Sequence, residues 1–389
     1  MGLVIGHDLS APPTPFIGRQ ADLAELSSLL STPACRLLTL VGPGGIGKTR
    51  LALQAAARLR DARAAASGRG FGHGVYVVAL QALRSPDLLL PALADALALP
   101  PVGSGDPLAQ LLNYLRDKAV LLVLDNFEHL MHGAALLAGI LAAAPQLKLL
   151  VTSREALNVQ EEWLYPIQGL PFPDSELAAD LEDYSAVRLF AERARRVRWD
   201  FSLDAERAGV VRVCRLVEGM PLALELAAAW TKTLPCAEIA TEIESSIDFL
   251  ATRLRDVPER HRSMQAVFEQ SWARLDGGER AVLRRLSVFR GGFRREAAEQ
   301  VAGASIPTLS LLVDKSLLRL EVDGRYQIHE LLRQYAEERL RCAADEAAQV
   351  HDRHCAHFAA LLQARLGDIL GSHQQEAVAE IKTELGNVW

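Results

Sequence analysis

CRLLTLV (Cys35–Val41) runs without a break into GPGGIGKT (Gly42–Thr49), and on into an alanine- and leucine-rich stretch from Leu51 to Leu59. A short apolar run closed by glycines reads as a buried strand of a parallel sheet, and the stretch beyond the loop as a helix. Between them, the spacing G-x-x-x-x-G-K-T is that of a phosphate-cradling loop. Its glycines let backbone N–H groups converge on phosphate oxygens with no Cβ in the way. The N-terminus of the following helix adds a favourable partial charge. Lys48 is placed as a mobile charge for β- and γ-phosphates, and the Thr49 hydroxyl as a Mg²⁺ ligand. A purely structural glycine turn would explain neither the Lys-Thr pair nor the strand before it. Gly42, Pro43, Gly44, Gly45, Ile46, Gly47, Lys48, Thr49 and Arg50 are therefore the candidate nucleotide-binding residues.

A second apolar run, VLLVL (Val120–Leu124), delivers Asp125 to the carboxyl end of a strand, where open α/β sheets bind ligands. A carboxylate there complements Thr49 in holding Mg²⁺ and its hydration shell. The next residue, Asn126, cannot take a proton from water. Glu128 is the nearest carboxylate, readable either as a general base or as a charge at a helix N-terminus, so hydrolysis is expected to be slow. Thr152, Ser153 and Arg154 close a fourth strand. An arginine at that edge suits γ-phosphate sensing, with a solvated surface arginine as the alternative.

Further strands are expected at Val75–Leu80, Leu147–Val151 and Tyr165–Leu170, alternating with helical stretches and with a small, polar connection over residues 61–74. This predicts a doubly wound parallel α/β domain over residues 14–172, after an extension of 13 residues. Pro171, Pro173 and the acidic stretch from Asp174 to Asp183 mark a linker into an all-helical region over 173–255, in which Pro221 is placed to open a helix. Residues 256–342 read as three helices and a hairpin, LLRLE (Leu317–Glu321) and YQI (Tyr326–Ile328), turned at Asp323-Gly324. That is a winged-helix pattern. Residues 343–389 read as helix.

The net charge of −6 speaks against a dedicated binder of nucleic acid or anionic membrane. Five scattered cysteines with no CxxC pair indicate reduced thiols, and the first residues lack the pattern of a secretory leader, so the expectation is a cytoplasmic protein. His129–Leu147 carries no Asp, Glu, Lys or Arg, but its histidines and proline read as a packed helix, not a span. HDRHCAH (His351–His357) lacks a second ligand cluster at zinc spacing. The third winged-helix helix, Ile306–Leu317, has one lysine, one aspartate and no arginine. It is a poor reader of base edges and phosphates, so direct DNA binding is not expected. The basic run Arg193–Arg198 reads as a solvated helix face.

With these motifs in order, the sequence resembles the STAND class of signal-transduction ATPases, in particular the NB-ARC branch, over roughly residues 12–340. The resemblance implies that Phe16, Ile17, Gly18 and Arg19 border adenine and ribose. It makes Asp125 the Walker B carboxylate and Arg154 the sensor. In GMPLAL (Gly219–Leu224), Pro221 packs on adenine. It also implies that IHELLRQYA, from Ile328, stands in the place of the Met-His-Asp motif, with His329 approaching the β-phosphate of ADP. The flanking Ile328 and Glu330 depart from that motif. Beyond the site, the resemblance implies an ADP-closed, ATP-open switch that forms homo-oligomers when active. Its partners would be an effector domain ahead of Phe16 and a repeat sensor after the winged helix. KTELGNVW (Lys382–Trp389) resembles the start of such a repeat array, and the expectation is a core cut from a longer protein.

Overall fold

Five strands form the sheet: β1 (Leu37–Val41), β2 (Gly74–Ala79), β3 (Val120–Asp125), β4 (Lys148–Ser153) and β5 (Glu162–Pro166). All pairings are parallel, in the order β2-β3-β4-β1-β5. The helices around it are α1 (Gln20–Ser31), α2 (Lys48–Ala65), α3 (Leu89–Ala96), α4 (Pro107–Leu115) and α5 (Ala134–Ala143). The computed structural model describes residues 14–65, 71–100, 105–178, 180–252, 258, 261–369 and 373–388. The expected extension over 1–13, and residues 66–70 of the expected connection, lie outside them.

Strands buried on both faces lose the polar alternation of a half-exposed strand. Leu37, Leu122, Leu124, Leu149 and Val151 face a core with α3, α4 and α5 that includes Leu93, Leu111 and Leu137. Their neighbours Leu38, Leu40, Leu121, Val123 and Leu150 are just as buried on the alternate face, the side of α1 and α2. Each such leucine contributes about 1.5–3 kcal/mol relative to remaining exposed. Because β1, β3 and β4 run the same way, Gly42, Asp125 and Arg154 all emerge at one edge of the sheet.

Two expectations are corrected. The fifth strand is Glu162–Pro166, not Tyr165–Leu170. Leu37 pairs with Glu162 and Val41 with Pro166, after which a last bond runs from the Ile167 amide to the Val41 carbonyl at 2.8 Å. As an edge strand it leaves Trp163 and Leu164 exposed, so it lacks the apolar run by which buried strands are recognised. Helix α2 also continues to Ala65, into the stretch read as a polar connection.

The molecule divides into Met1–Leu170 and Pro171–Trp389. The second unit opens with α6 (Ser185–Val197), α7 (Arg207–Leu216), α8 (Pro221–Ala228) and α9 (Cys236–Ser245). Arg193 of the basic run is not solvated: it is buried, and its guanidinium donates to Glu225 of α8 at 2.9 Å. Next come α10 (Met264–Trp272), α11 (Gly277–Leu286), α12 (Arg295–Ala297, continued by a π-turn to Ala302) and α13 (Ile306–Asp314). The hairpin β6 (Arg319–Leu320) and β7 (Tyr326–Gln327) follows, turned at Gly324 with φ 80°. This is the winged helix. It is followed by α14 (Glu330–Arg341), α15 (Ala344–Ile369), α16 (Gln374–Thr383) and α17 (Leu385–Val388). Among the described residues no helix is long and apolar enough to cross a membrane.

Cys35, Cys214 and Cys236 are buried, whereas Cys342 and Cys355 are exposed. Burial pushes the three buried thiols up and away from the reactive thiolate. A thiol reagent is therefore expected to titrate two cysteines rapidly in the folded protein and five after denaturation. Three or more fast-reacting thiols in the native state would contradict this packing.

Candidate nucleotide site

The loop after β1 reaches its shape through Gly45 and Gly47, at φ 83° and 96°, where a side chain would be strained. At Gly42 a Cβ would approach the Ile167 carbonyl oxygen to 3.2 Å, so the loop is pressed against the end of β5. Lys48 begins α2, and its Nζ donates to the carbonyls of Gly42 and Pro43 at 2.7 and 3.0 Å, curled over the loop. This puts a mobile ammonium beside the amides that would meet a phosphate.

The candidate metal ligands meet across the sheet edge. Asp125 Oδ1 accepts from the Thr49 hydroxyl and from the Thr152 hydroxyl, each at 2.7 Å. Thr152 Oγ1 in turn accepts the Asn126 amide at 2.8 Å, which helps hold Asn126 at φ 67°. Thr152 thus orients the carboxylate from behind, a role its position at a strand end did not disclose. A hydroxyl beside a carboxylate is the hard-oxygen pair that Mg²⁺ takes with phosphate oxygens, so the residues present fit a Mg²⁺-nucleotide.

Glu128 and Arg154 meet as well. Arg154 Nε donates to Glu128 Oε1 at 3.1 Å, with the residues only 5% and 6% exposed. Neither reading offered for Glu128, base or helix-end charge, includes this partner, and Arg154 is not a solvated surface residue. The carboxylate nearest the Asp125 strand end is committed to a guanidinium, an arrangement poorly suited to rapid proton abstraction from water.

The element before α1 is tied in by arginines. Gly18 is buried, and Phe16 and Ile17 are half-buried. Arg19, at φ 67°, donates through Nη2 to the carbonyls of Ile46 (3.1 Å) and Gln168 (2.7 Å), and sits 3.5 Å from Asp22. Burial lowers its pKa and the Asp22 charge opposes that; a guanidinium remains a cation throughout. Arg50 donates to the carbonyls of Thr14 and Pro15, both at 2.9 Å. Both arginines position the segment from Thr14 to Arg19 against the loop.

In the second unit, Pro221 occupies the first turn of α8, preceded by Glu218 and Gly219 at φ 45° and 64°. His329 is the N-cap of α14, and its Nδ1 accepts the Leu331 amide at 3.2 Å. Nδ1 therefore presents a lone pair, and a neutral ring carries its proton on Nε2. That atom is buried and has no hydrogen-bond partner among the described residues.

The geometry and sequence together define the class: an AAA-type P-loop NTPase domain followed by a winged helix-turn-helix domain. A family model described as an AAA domain matches residues 33–159, and one described as a winged helix-turn-helix domain matches residues 275–341. The uncharacterized protein Rv0894 of Mycobacterium tuberculosis is 34% identical over 367 residues, 91% of this chain and 88% of that protein. The chain belongs to the same family as Rv0894. It is equally similar, at 34% over 367 residues and 91% of its own length, to the M. tuberculosis protein Rv0890c, named as an HTH-type transcriptional regulator. It spans only 39% of that protein's length. Among solved structures, the STAND protein with a tetratricopeptide repeat sensor from Pyrococcus horikoshii is 18% identical, with a TM-score of 0.34. That match covers 92% of this chain and 47% of the other.

Proposed function

We propose that this chain is the nucleotide-operated switch of a STAND-class regulator of the NB-ARC type. In this reading Gly42–Thr49, Asp125, Pro221 and His329 hold ADP in a closed state. Exchange for ATP would bring Arg154 into play, release the winged helix and leave an open form able to oligomerise. Lys48 would neutralise phosphate charge, Thr49 and Asp125 would hold Mg²⁺, and the Glu128–Arg154 pair would keep turnover slow. The requirement is differential affinity, since a nucleotide held equally by both states shifts nothing.

The observation that carries this reading is the buried Nε2 of His329, a donor with no acceptor among the described residues, at the N-terminus of a 12-residue helix. An unpaired buried donor costs roughly 1–3 kcal/mol, and an anion beside it would recover that cost. His329→Ala is expected to weaken ADP by about tenfold more than ATP, on the order of one charge-assisted hydrogen bond. Calorimetric titration with each nucleotide measures the difference. Equal losses for both would remove His329 from the switch.

One finding favours a second reading, a DNA-binding regulator modulated by nucleotide: the name given to Rv0890c. Against it, α13 exposes Ile306 and Leu311, a surface better suited to protein. A gel shift that weakens steeply with salt would favour DNA. A salt-insensitive result or no shift would favour the switch.

A further inference from the structure

Glu218 lies at the C-terminal end of α7, in the turn that leads to Pro221. Its amide bonds to the Arg215 carbonyl, and those of Gly219 and Met220 bond to Cys214 and Val217. With φ 45°, it occupies a left-handed position that favours glycine, yet it carries a side chain. That side chain reaches the winged helix. Glu218 Oε1 accepts the Glu330 amide at 2.7 Å and lies 4.0 Å from His329 Nδ1. Glu330 is the first residue of α14, and Leu331, bonded to His329 itself, is the second. Two amides that α14 cannot satisfy internally are thus divided between the histidine and a carboxylate 112 residues away. A negative group at a helix N-terminus is also favoured by the helix dipole.

We propose that Glu218 is the positioning residue for His329: it clamps the start of α14 to the turn before Pro221 and so fixes where the buried Nε2–H points. The inference rests on the nucleotide-switch reading and extends it. The two groups read as touching opposite ends of the nucleotide, Pro221 and His329, become one mechanical unit. Any rotation of the winged helix away from the helical region must break the Glu218–Glu330 bond. Glu218 then sets the ADP preference without touching nucleotide.

Two variants of the full chain test this. Glu218→Gly removes the carboxylate while suiting the left-handed backbone, so folding is not penalised by strain. Glu218→Gln keeps the acceptor oxygen and loses the charge. Hydrogen exchange without added nucleotide is expected to show the Glu330 amide opening roughly tenfold faster in Glu218→Gly, with much of the protection restored in Glu218→Gln. The ratio of ADP to ATP affinity should fall about fivefold in Glu218→Gly and recover in Glu218→Gln. Unchanged exchange at Glu330 would overturn the clamp. Faster exchange with an unchanged nucleotide ratio would overturn the positioning of His329. A wild-type chain with no ADP preference would sink the switch reading and this role with it. That failure is distinguishable, because the exchange experiment reports on the clamp without nucleotide.

Discussion

Lys48→Ala is expected to lower affinity for Mg²⁺-ATP and for ADP by two orders of magnitude or more. The Lys48 ammonium donates to two loop carbonyls, at 2.7 and 3.0 Å, and those carbonyls are weak partners compared with phosphate oxygens. Charge-assisted hydrogen bonds are worth roughly 1.5–3 kcal/mol each. Losing two costs about 3–4 kcal/mol or more, a factor on the order of a hundred or above. The substitution should cost the protein little when no nucleotide is supplied, since alanine is a good helix former at the start of α2. The diagnostic is therefore a difference in melting temperature. A ligand present at a hundred times its dissociation constant stabilises by about 2.7 kcal/mol. The wild-type chain should show that rise on adding nucleotide, and the variant should lose most of it. An equal rise in both proteins would mean that nucleotide binds elsewhere or that the loop amides suffice without Lys48.

The loop and β3 were legible in the sequence because each of their residues obeys a local rule. Glycine marks positive φ, a charge-free run marks a strand buried on both faces, and Lys-Thr after glycine has few structural uses. The edge strand escaped that logic. Trp163 and Leu164 of β5 are exposed, and the apolar residues Ile167 and Leu170 that invited a strand at Tyr165–Leu170 lie past its last rung. Thr152 behind Asp125, and Glu218 beneath α14, were illegible for another reason. Each is an ordinary residue whose meaning is set by a partner far along the chain, 27 and 112 residues away, and no local spacing encodes such a meeting. His329 shows the mixed case. Its place after a hairpin and before a helix was readable, but the tautomer that leaves Nε2 as the donor follows only from the Leu331 bond.

Arg154→Ala is expected to destabilise the protein by about 3 kcal/mol, before any nucleotide is considered, because it breaks the Nε–Oε1 bond of a buried ion pair. Glu128 is 5% exposed and cannot turn to water without a rearrangement of the strand end. Glu128→Ala should cost a similar amount for the mirror-image reason. Replacing both with apolar residues of like volume, Glu128→Leu with Arg154→Met, should recover most of the loss, since buried ion pairs often exchange for packing at nearly no cost. Chemical denaturation of the wild type, the two alanine variants and the double alanine variant closes a cycle. A coupling below about 0.5 kcal/mol would mean that the two side chains do not act as a pair. The protein with Glu128→Leu and Arg154→Met then separates stability from signalling. If Arg154 senses the γ-phosphate, it must leave Glu128 to do so, and the repaired core should bind ADP normally while failing to respond to ATP. Should it respond like the wild type, the pair is a structural strut and the sensor lies elsewhere. The same protein also tests the alternative use of Glu128. Hydrolysis that persists undiminished without that carboxylate would exclude it as the base, and would leave its bond to Arg154 as the reason it is buried at the sheet edge.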